Sequence, residues 1–342
     1  MGRRTKWSIG FGAGLLLAAV ALGYFSWRGR YQGARPELLS FMPPEANTVA
    51  YADLGALRDS RFLAELLALA PSPGTDRDYA EFVRETGFDY ARDLNRVALA
   101  VMGQGRDRVV LAVADGHFDQ DKIVAYAVKS GKREMVGGRE TFRTSIDGSA
   151  KWVTIAFLSP NRIALTDGQD LSAFAAYLIP PRDNPANAPW RERFRRLAGS
   201  PVFAVSQLGV PDGAALAGQP AGGLRFEQLA ALSESLRWGT VALRPQGDSL
   251  LVVAEAECAN EDSARKLSDE VSALATLAGM MLANPKTRRQ LDADTLAALD
   301  EMLKSVEVSR IDRGETKAVR IVFPVTSRAL EAARQLSRSA PN

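Results

Sequence analysis

From Trp7 to Trp27 the chain runs 21 residues without a charge, and no other feature restricts its possible folds as much. With a rise of ~1.5 Å per residue, a helix of that length reaches about 30 Å, the thickness of a bilayer's hydrocarbon core. Leu15, Leu16, Leu17 and Phe25 help fill the stretch. Trp7, Tyr24 and Trp27 stand near its ends, where amphipathic rings favour the headgroup level. Arg3, Arg4 and Lys6 precede it, and Arg28 and Arg30 follow. The sequence therefore predicts an N-terminal transmembrane helix, a signal-anchor that crosses once. A cleaved signal peptide has a shorter apolar region; Ala19-Val20-Ala21 fits a cleavage site loosely, but the apolar run continues past it. A short basic tail favours the cytoplasm, which would place the bulk of the chain on the periplasmic side of the cytoplasmic (inner) membrane.

Charge is split unevenly. Residues 1–35 carry six basic side chains and no acid, so the chain's formal +3 leaves −3 for residues 36–342. A slightly acidic body is a poor match for a phosphate backbone, which argues against nucleic-acid binding. Cys258 is the only cysteine, which excludes an intramolecular disulfide and any multi-cysteine metal site.

Beyond residue 35, strand patterns appear twice. Thr48–Gly55 and Pro201–Gly209 each run apolar and end in Leu-Gly. Val97–Val101 and Val109–Val113 flank a turn at Gly103–Asp107, and Thr240–Leu243 and Leu250–Val253 flank another at Pro245–Asp248; both read as hairpins. Asp119 and Asn260 follow at matching N-cap positions. Arg162–Leu165 and Arg320–Phe323 supply later strands. The prolines of 180–189 break regular structure. The expected fold class is α+β: a transmembrane helix followed by two tandem, duplicated units of antiparallel sheet plus helices. The boundaries are 1–35 for the anchor and its flanks, 36–180 for the first unit and 181–342 for the second.

Two helices bear on function. Ser263–Leu282 places Leu267, Val271, Leu274, Leu277, Ala278 and Met281 on one face, a core stripe, with Met280 and Met281 able to line an adaptable surface instead. Trp190–Leu197 groups Trp190, Phe194 and Leu197 among arginines that include Arg193 and Arg196. That segment is a candidate interaction helix for anionic lipid, or it packs its apolar stripe on the second unit.

Catalytic constellations are not evident. His117 is the only histidine and lies in a strand-to-helix loop, without a Gly-x-Ser-x-Gly elbow. Met102-Gly-Gln-Gly105 is a turn with no Lys-Ser or Lys-Thr after it. Asp53, Asp115 and Asp167 end strands, where aspartate caps helices and makes turns. Glu255 and Glu257 share a strand face, read as the wet one. No catalytic residue, metal ligand or cofactor site is therefore assigned.

The stretch Phe82–Leu94, with Met42-Pro-Pro-Glu-Ala46 and Tyr51–Arg58, resembles single-anchor envelope proteins of acidobacterial type that contain a domain of unknown function. The resemblance implies an envelope location and supplies no chemistry. The leading expectation is a non-enzymatic, membrane-tethered cell-envelope protein that acts as a binding or assembly factor, with the membrane and a protein or lipid as partners. A carrier of lipid or apolar ligand is the second expectation. A carboxylate-dependent hydrolase is the third.

Overall fold

Runs rich in valine, isoleucine, alanine and threonine favour the pleated, half-buried surface of a sheet, and the computed structural model places them there. It describes residues 37–58, 77–103, 105–129, 131–145, 152–179, 188–208, 235–247, 249–285, 288 and 292–331. The strands are β1 (Thr48–Asp53), β2 (Leu94–Met102), β3 (Val109–Gly116), β4 (Gly131–Val136), β5 (Arg139–Ser145), β6 (Trp152–Ser159), β7 (Arg162–Thr166), β8 (Val202–Gln207), β9 (Leu236–Gln246), β10 (Ser249–Cys258), β11 (Glu307–Arg313) and β12 (Thr316–Thr326). The α-helices are α1 (Leu54–Leu57), α2 (Arg77–Thr86), α3 (Tyr90–Asp93), α4 (Gln120–Lys129), α5 (Leu171–Tyr177), α6 (Ala188–Leu197), α7 (Glu261–Ala283) and α8 (Ala293–Lys304).

These strands form one 12-stranded sheet in the order β11-β12-β10-β9-β8-β1-β2-β3-β7-β6-β5-β4. The chain divides into two compact units, 1–204 and 205–342. In the first, every residue of β1 is buried, so both faces of that strand are covered. α4 lies on one face, where Ala127 packs with Phe142 and Ile155, and Leu165 adds to the cluster. Arg162 sits three positions before Leu165 and points to the opposite face, where it meets Glu37 of a 3₁₀ turn, Glu37–Phe41. In the second unit α7 packs Ala264 and Leu267 on Cys258 and Val319, and α8 packs Ala298 on Ala329.

Local signals explain the joints. Gly87 ends α2 with φ 72°, a region that costs an L side chain strain. Phe88 then stacks on Phe118 with centroids 5.3 Å apart, and Tyr79 lies 5.3 Å from Tyr90. Gly103 turns the β2–β3 hairpin with φ 69°, and a Cβ there would stand 2.4 Å from the Asp107 carbonyl oxygen. The Ser263 backbone N–H donates to Asn260 Oδ1 at 2.9 Å, capping α7 as its sequence predicts.

The expected fold class needs correction. The units are not two copies carrying separate sheets: among the described residues β1–β7 form a seven-stranded run, whereas β8–β12 supply five strands with no counterpart of the β4–β5 hairpin. Strand-turn-strand patterns recur in any antiparallel meander, so the recurrence in sequence did not mark a duplication. In the first unit the Asp53 N–H donates to the Pro201 carbonyl at 2.8 Å, and in the second the Leu208 N–H donates to the Arg237 carbonyl at 2.9 Å. Among the described residues no helix is long and apolar enough to cross a membrane, which removes the support for a transmembrane, single-pass, signal-anchored topology. Trp7, Leu15, Leu16, Leu17, Tyr24, Phe25 and Trp27, and the flanking Arg3, Arg4, Lys6, Arg28 and Arg30, lie outside the described residues.

Phe142 is 2% exposed and meets Phe157 edge-on at 6.5 Å. Phe142→Ala is expected to cost about 3–5 kcal/mol, as large-to-small core changes do, read as a lowered urea midpoint.

Candidate functional site

Strand register turns isolated charges into a row. Asp53 on β1 faces Arg96 on β2, Arg96 faces Asp115 on β3, and Asp115 faces Arg162 on β7. Opposite charges on neighbouring strands attract across the ladder. Asp115 is 7% exposed. Its Oδ1 accepts from Arg162 Nε at 2.6 Å and its Oδ2 lies 3.0 Å from Arg96 Nη2. Glu37 closes the row from above, accepting from Arg162 Nη1 at 2.7 Å and Nη2 at 3.1 Å. The hydrogen bond from Arg162 holds the Glu37 carboxyl below its ordinary value, and the two carboxylates raise the guanidinium's own. Phe41 adds its ring 5.7 Å from the same guanidinium. Asp53 accepts from the Ala56 N–H at 2.8 Å and caps α1.

Two of the three aspartates noted at strand ends therefore share one row. Arg96 separates them, and both are engaged in the fold. Asp167 is elsewhere, at the far end of β7, accepting from the Val110 N–H at 2.7 Å.

The second unit repeats the device. Glu255 takes a bidentate hold from Arg313, at 2.6 and 2.9 Å, and accepts from Arg320 Nη2 at 3.2 Å. Glu255 and Glu257 are 8% and 4% exposed, so the shared face read as wet is a covered one. Asp115 and Glu255 are the buried members of these groups, while their arginines keep part of the side chain in water, and a carboxylate so committed is poorly placed to exchange protons with a substrate.

The remaining polar candidates offer little chemistry. His117 is exposed, and its backbone N–H donates to the Asp93 carbonyl at 2.8 Å. Cys258 is buried, and burial pushes its thiol pKa up, away from reactivity. Among the described residues no group of three metal-ligating side chains forms. A cleft beside Ala298, Met302 and Pro324 holds about 60 Å³, room for water but not for an acyl chain.

Helix α6 turns its apolar stripe inward. Trp190, Arg193, Phe194 and Leu197 are buried, and Arg196 is half-buried. Trp190 stacks on Phe194 at 6.0 Å, Phe194 meets Phe203 at 5.8 Å, and Phe203 stacks on Tyr51 at 5.4 Å. The Trp190 indole N–H donates to the Pro44 carbonyl at 3.3 Å. With its aromatic rings committed to the first unit, α6 presents no free apolar face.

The free apolar surface lies on α7. This 23-residue helix is held through its first half, where Ala264 and Leu267 are buried and Val271 packs beside them. Leu277, Met280 and Met281 are 40%, 60% and 49% exposed. Among the described residues six large apolar side chains are exposed, and three of them fall within these five positions. The core reading of the stripe thus fails at Leu277 and Met281. From Val271 to Leu291 the sequence has no acid and three bases, Lys286, Arg288 and Arg289. Of these Arg288 is described: it is exposed, and its N–H donates to the Asn284 carbonyl at 3.0 Å, just past the helix end.

No family model and no curated protein sequence matches the chain. Crystal form I of TP0453 aligns with a TM-score of 0.46 and 12% identity, covering 89% of this chain and 98% of that one. Crystal form III aligns with a TM-score of 0.47, covering 89% and 100%. Likeness at this level assigns neither family nor function.

Two outcomes follow from the charged row. Asp115→Asn leaves Arg96 short of its carboxylate and Arg162 with Glu37 alone, and is expected to cost about 1–2 kcal/mol at neutral pH, measured by urea unfolding. Glu37, its folded pKa depressed, adds stability above its ordinary value of 4.5 that is lost as pH falls through the lower folded value. Glu37→Gln should therefore flatten the decline of the unfolding midpoint in acid below 4.5, and an unchanged decline would refute the linkage.

Proposed function

We propose that this chain is a non-enzymatic binding protein that docks on an anionic lipid surface through the C-terminal half of α7. The observation that carries the reading is the joint exposure of Leu277, Met280 and Met281 on a helix whose first half is anchored in the second unit. Exposed apolar clusters mark interaction surfaces. A helix with apolar residues on one side and basic residues beside them suits the boundary between headgroups and acyl chains. The sequence run that is free of acids and closes in Lys286, Arg288 and Arg289 supplies the charge that anionic headgroups attract. Methionine side chains adapt to irregular surroundings, which a fluid partner requires.

Magnitudes set the kind of binding. Burying the exposed parts of three such side chains contributes roughly 3 kcal/mol. Each basic residue near an anionic surface adds about 1 kcal/mol. The total is close to that of a single acyl chain, so this contact by itself is reversible and salt-sensitive.

A local readout tests this, because the uncharged stretch Trp7–Trp27 would itself associate with lipid. Leu277→Cys takes an environment-sensitive fluorophore while buried Cys258 stays protected. Its emission should shift blue with phosphatidylglycerol-containing vesicles, less with pure phosphatidylcholine, and less again in high salt. Met281→Glu should remove the shift. A probe that stays water-like with both vesicle types would refute the lipid partner, and a shift only with an added protein would favour a protein groove instead.

A further inference from the structure

The two most exposed positions of the α7 surface are occupied by methionine, Met280 at 60% and Met281 at 49%. A thioether packs like a hydrocarbon but can be oxidised, and its sulfoxide is polar and accepts strong hydrogen bonds. We infer that Met280 and Met281 form an oxidation site that releases the helix from its apolar partner surface. The inference rests on the lipid-docking reading and adds a control to it.

The chemistry is complete with one co-reactant, a peroxide. A sulfur lone pair attacks the peroxide oxygen, the O–O bond breaks, and water or an alcohol leaves. Sulfur loses two electrons and the peroxide gains them. Reversal needs a thiol-dependent reductase, which takes the oxygen off as water while two thiols become a disulfide.

Selectivity follows from exposure. Met42 and Met102 are 4% and 7% exposed, packed in the first unit. Met302 is half-buried beside Ala298 and Ala329. Met135 is 68% exposed, but it lies on β4 in the first unit and so offers an internal control. The consequence of oxidation is specific to α7. Two sulfoxides on successive residues put two polar groups on the face that must enter lipid. The helix should hold its fold, because its buried contacts run through Ala264 and Leu267.

The test uses the full chain carrying the fluorophore at position 277, treated with limiting hydrogen peroxide after labelling. Peptide mass spectrometry should find oxygen added at Met280, Met281 and Met135 before Met42 and Met102. Affinity for phosphatidylglycerol-containing vesicles should fall about tenfold or more, a change of roughly 1.4 kcal/mol or more in binding, and methionine sulfoxide reductase should restore it. The informative quantity is the ratio of affinities after and before peroxide. M280L/M281L should bring that ratio to near one whatever its starting affinity, and M135L should leave it as in the parent protein. If untreated protein never docks, the lipid reading fails and this inference with it. If untreated protein docks and protein fully oxidised at both positions docks equally well, only the oxidation site is overturned.

Discussion

A carboxylate buried between two arginines on the sheet recurs in both units, and much of the structure depends on it. Asp115 lies between Arg96 and Arg162, and Glu255 between Arg313 and Arg320. A carboxylate taken out of water alone is costly; with part-exposed arginines hydrogen-bonded on either side it becomes tolerable. What the charged pairs add is register. A slip of one residue along β3–β7 would turn Arg162 to the face where α4 packs and leave Asp115 without its partner. Glu37 extends the same restraint to the segment before β1, since its carboxylate reaches Arg162 across 125 positions of sequence.

This fixes where polar and apolar groups are spent. The first unit commits its aromatic residues inward, from Trp190 through Phe194 and Phe203 to Tyr51. The second unit commits Ala264 and Leu267 of α7, with Val271 beside them, and leaves Leu277, Met280 and Met281 exposed. The proposed surface-acting role draws on that contrast more than on any single residue. Buried Asp115 and Glu255 are paired, the rings from Trp190 to Tyr51 are packed together, and three of the six exposed large apolar side chains among the described residues gather at one helix end with bases next to them in sequence.

Much of the secondary structure was legible in the sequence because it is written locally. Apolar runs flanking turns marked β1–β3 and β9–β10, and Asn260 marked the start of α7. What could not be read was pairing over distance. Asp115 and Arg162 are 47 residues apart and Glu255 and Arg320 are 65 apart, so no window of sequence shows either ion pair. The same limit hid the continuity of the sheet, since nothing in Pro201–Gly209 announces that its strand is bonded on both sides. Helical periodicity placed Leu277 and Met281 on one face with Leu267, and periodicity says which residues share a face, not whether anything covers it. For Trp190–Leu197 the stripe was equally visible, and burial turned it inward.

The outermost strands have a consequence of their own. β4 carries Lys132, Arg133 and Glu134, and β11 carries Glu307, Arg310 and Asp312. A ladder with open hydrogen-bonding groups at its margins is a template for more strands, and a wide sheet with greasy margins would recruit neighbours into fibrils. Ionic side chains at both margins make each added strand bring charge against charge and lose its water. Charge at these margins therefore favours separate molecules over edge-to-edge assembly even at high local concentration.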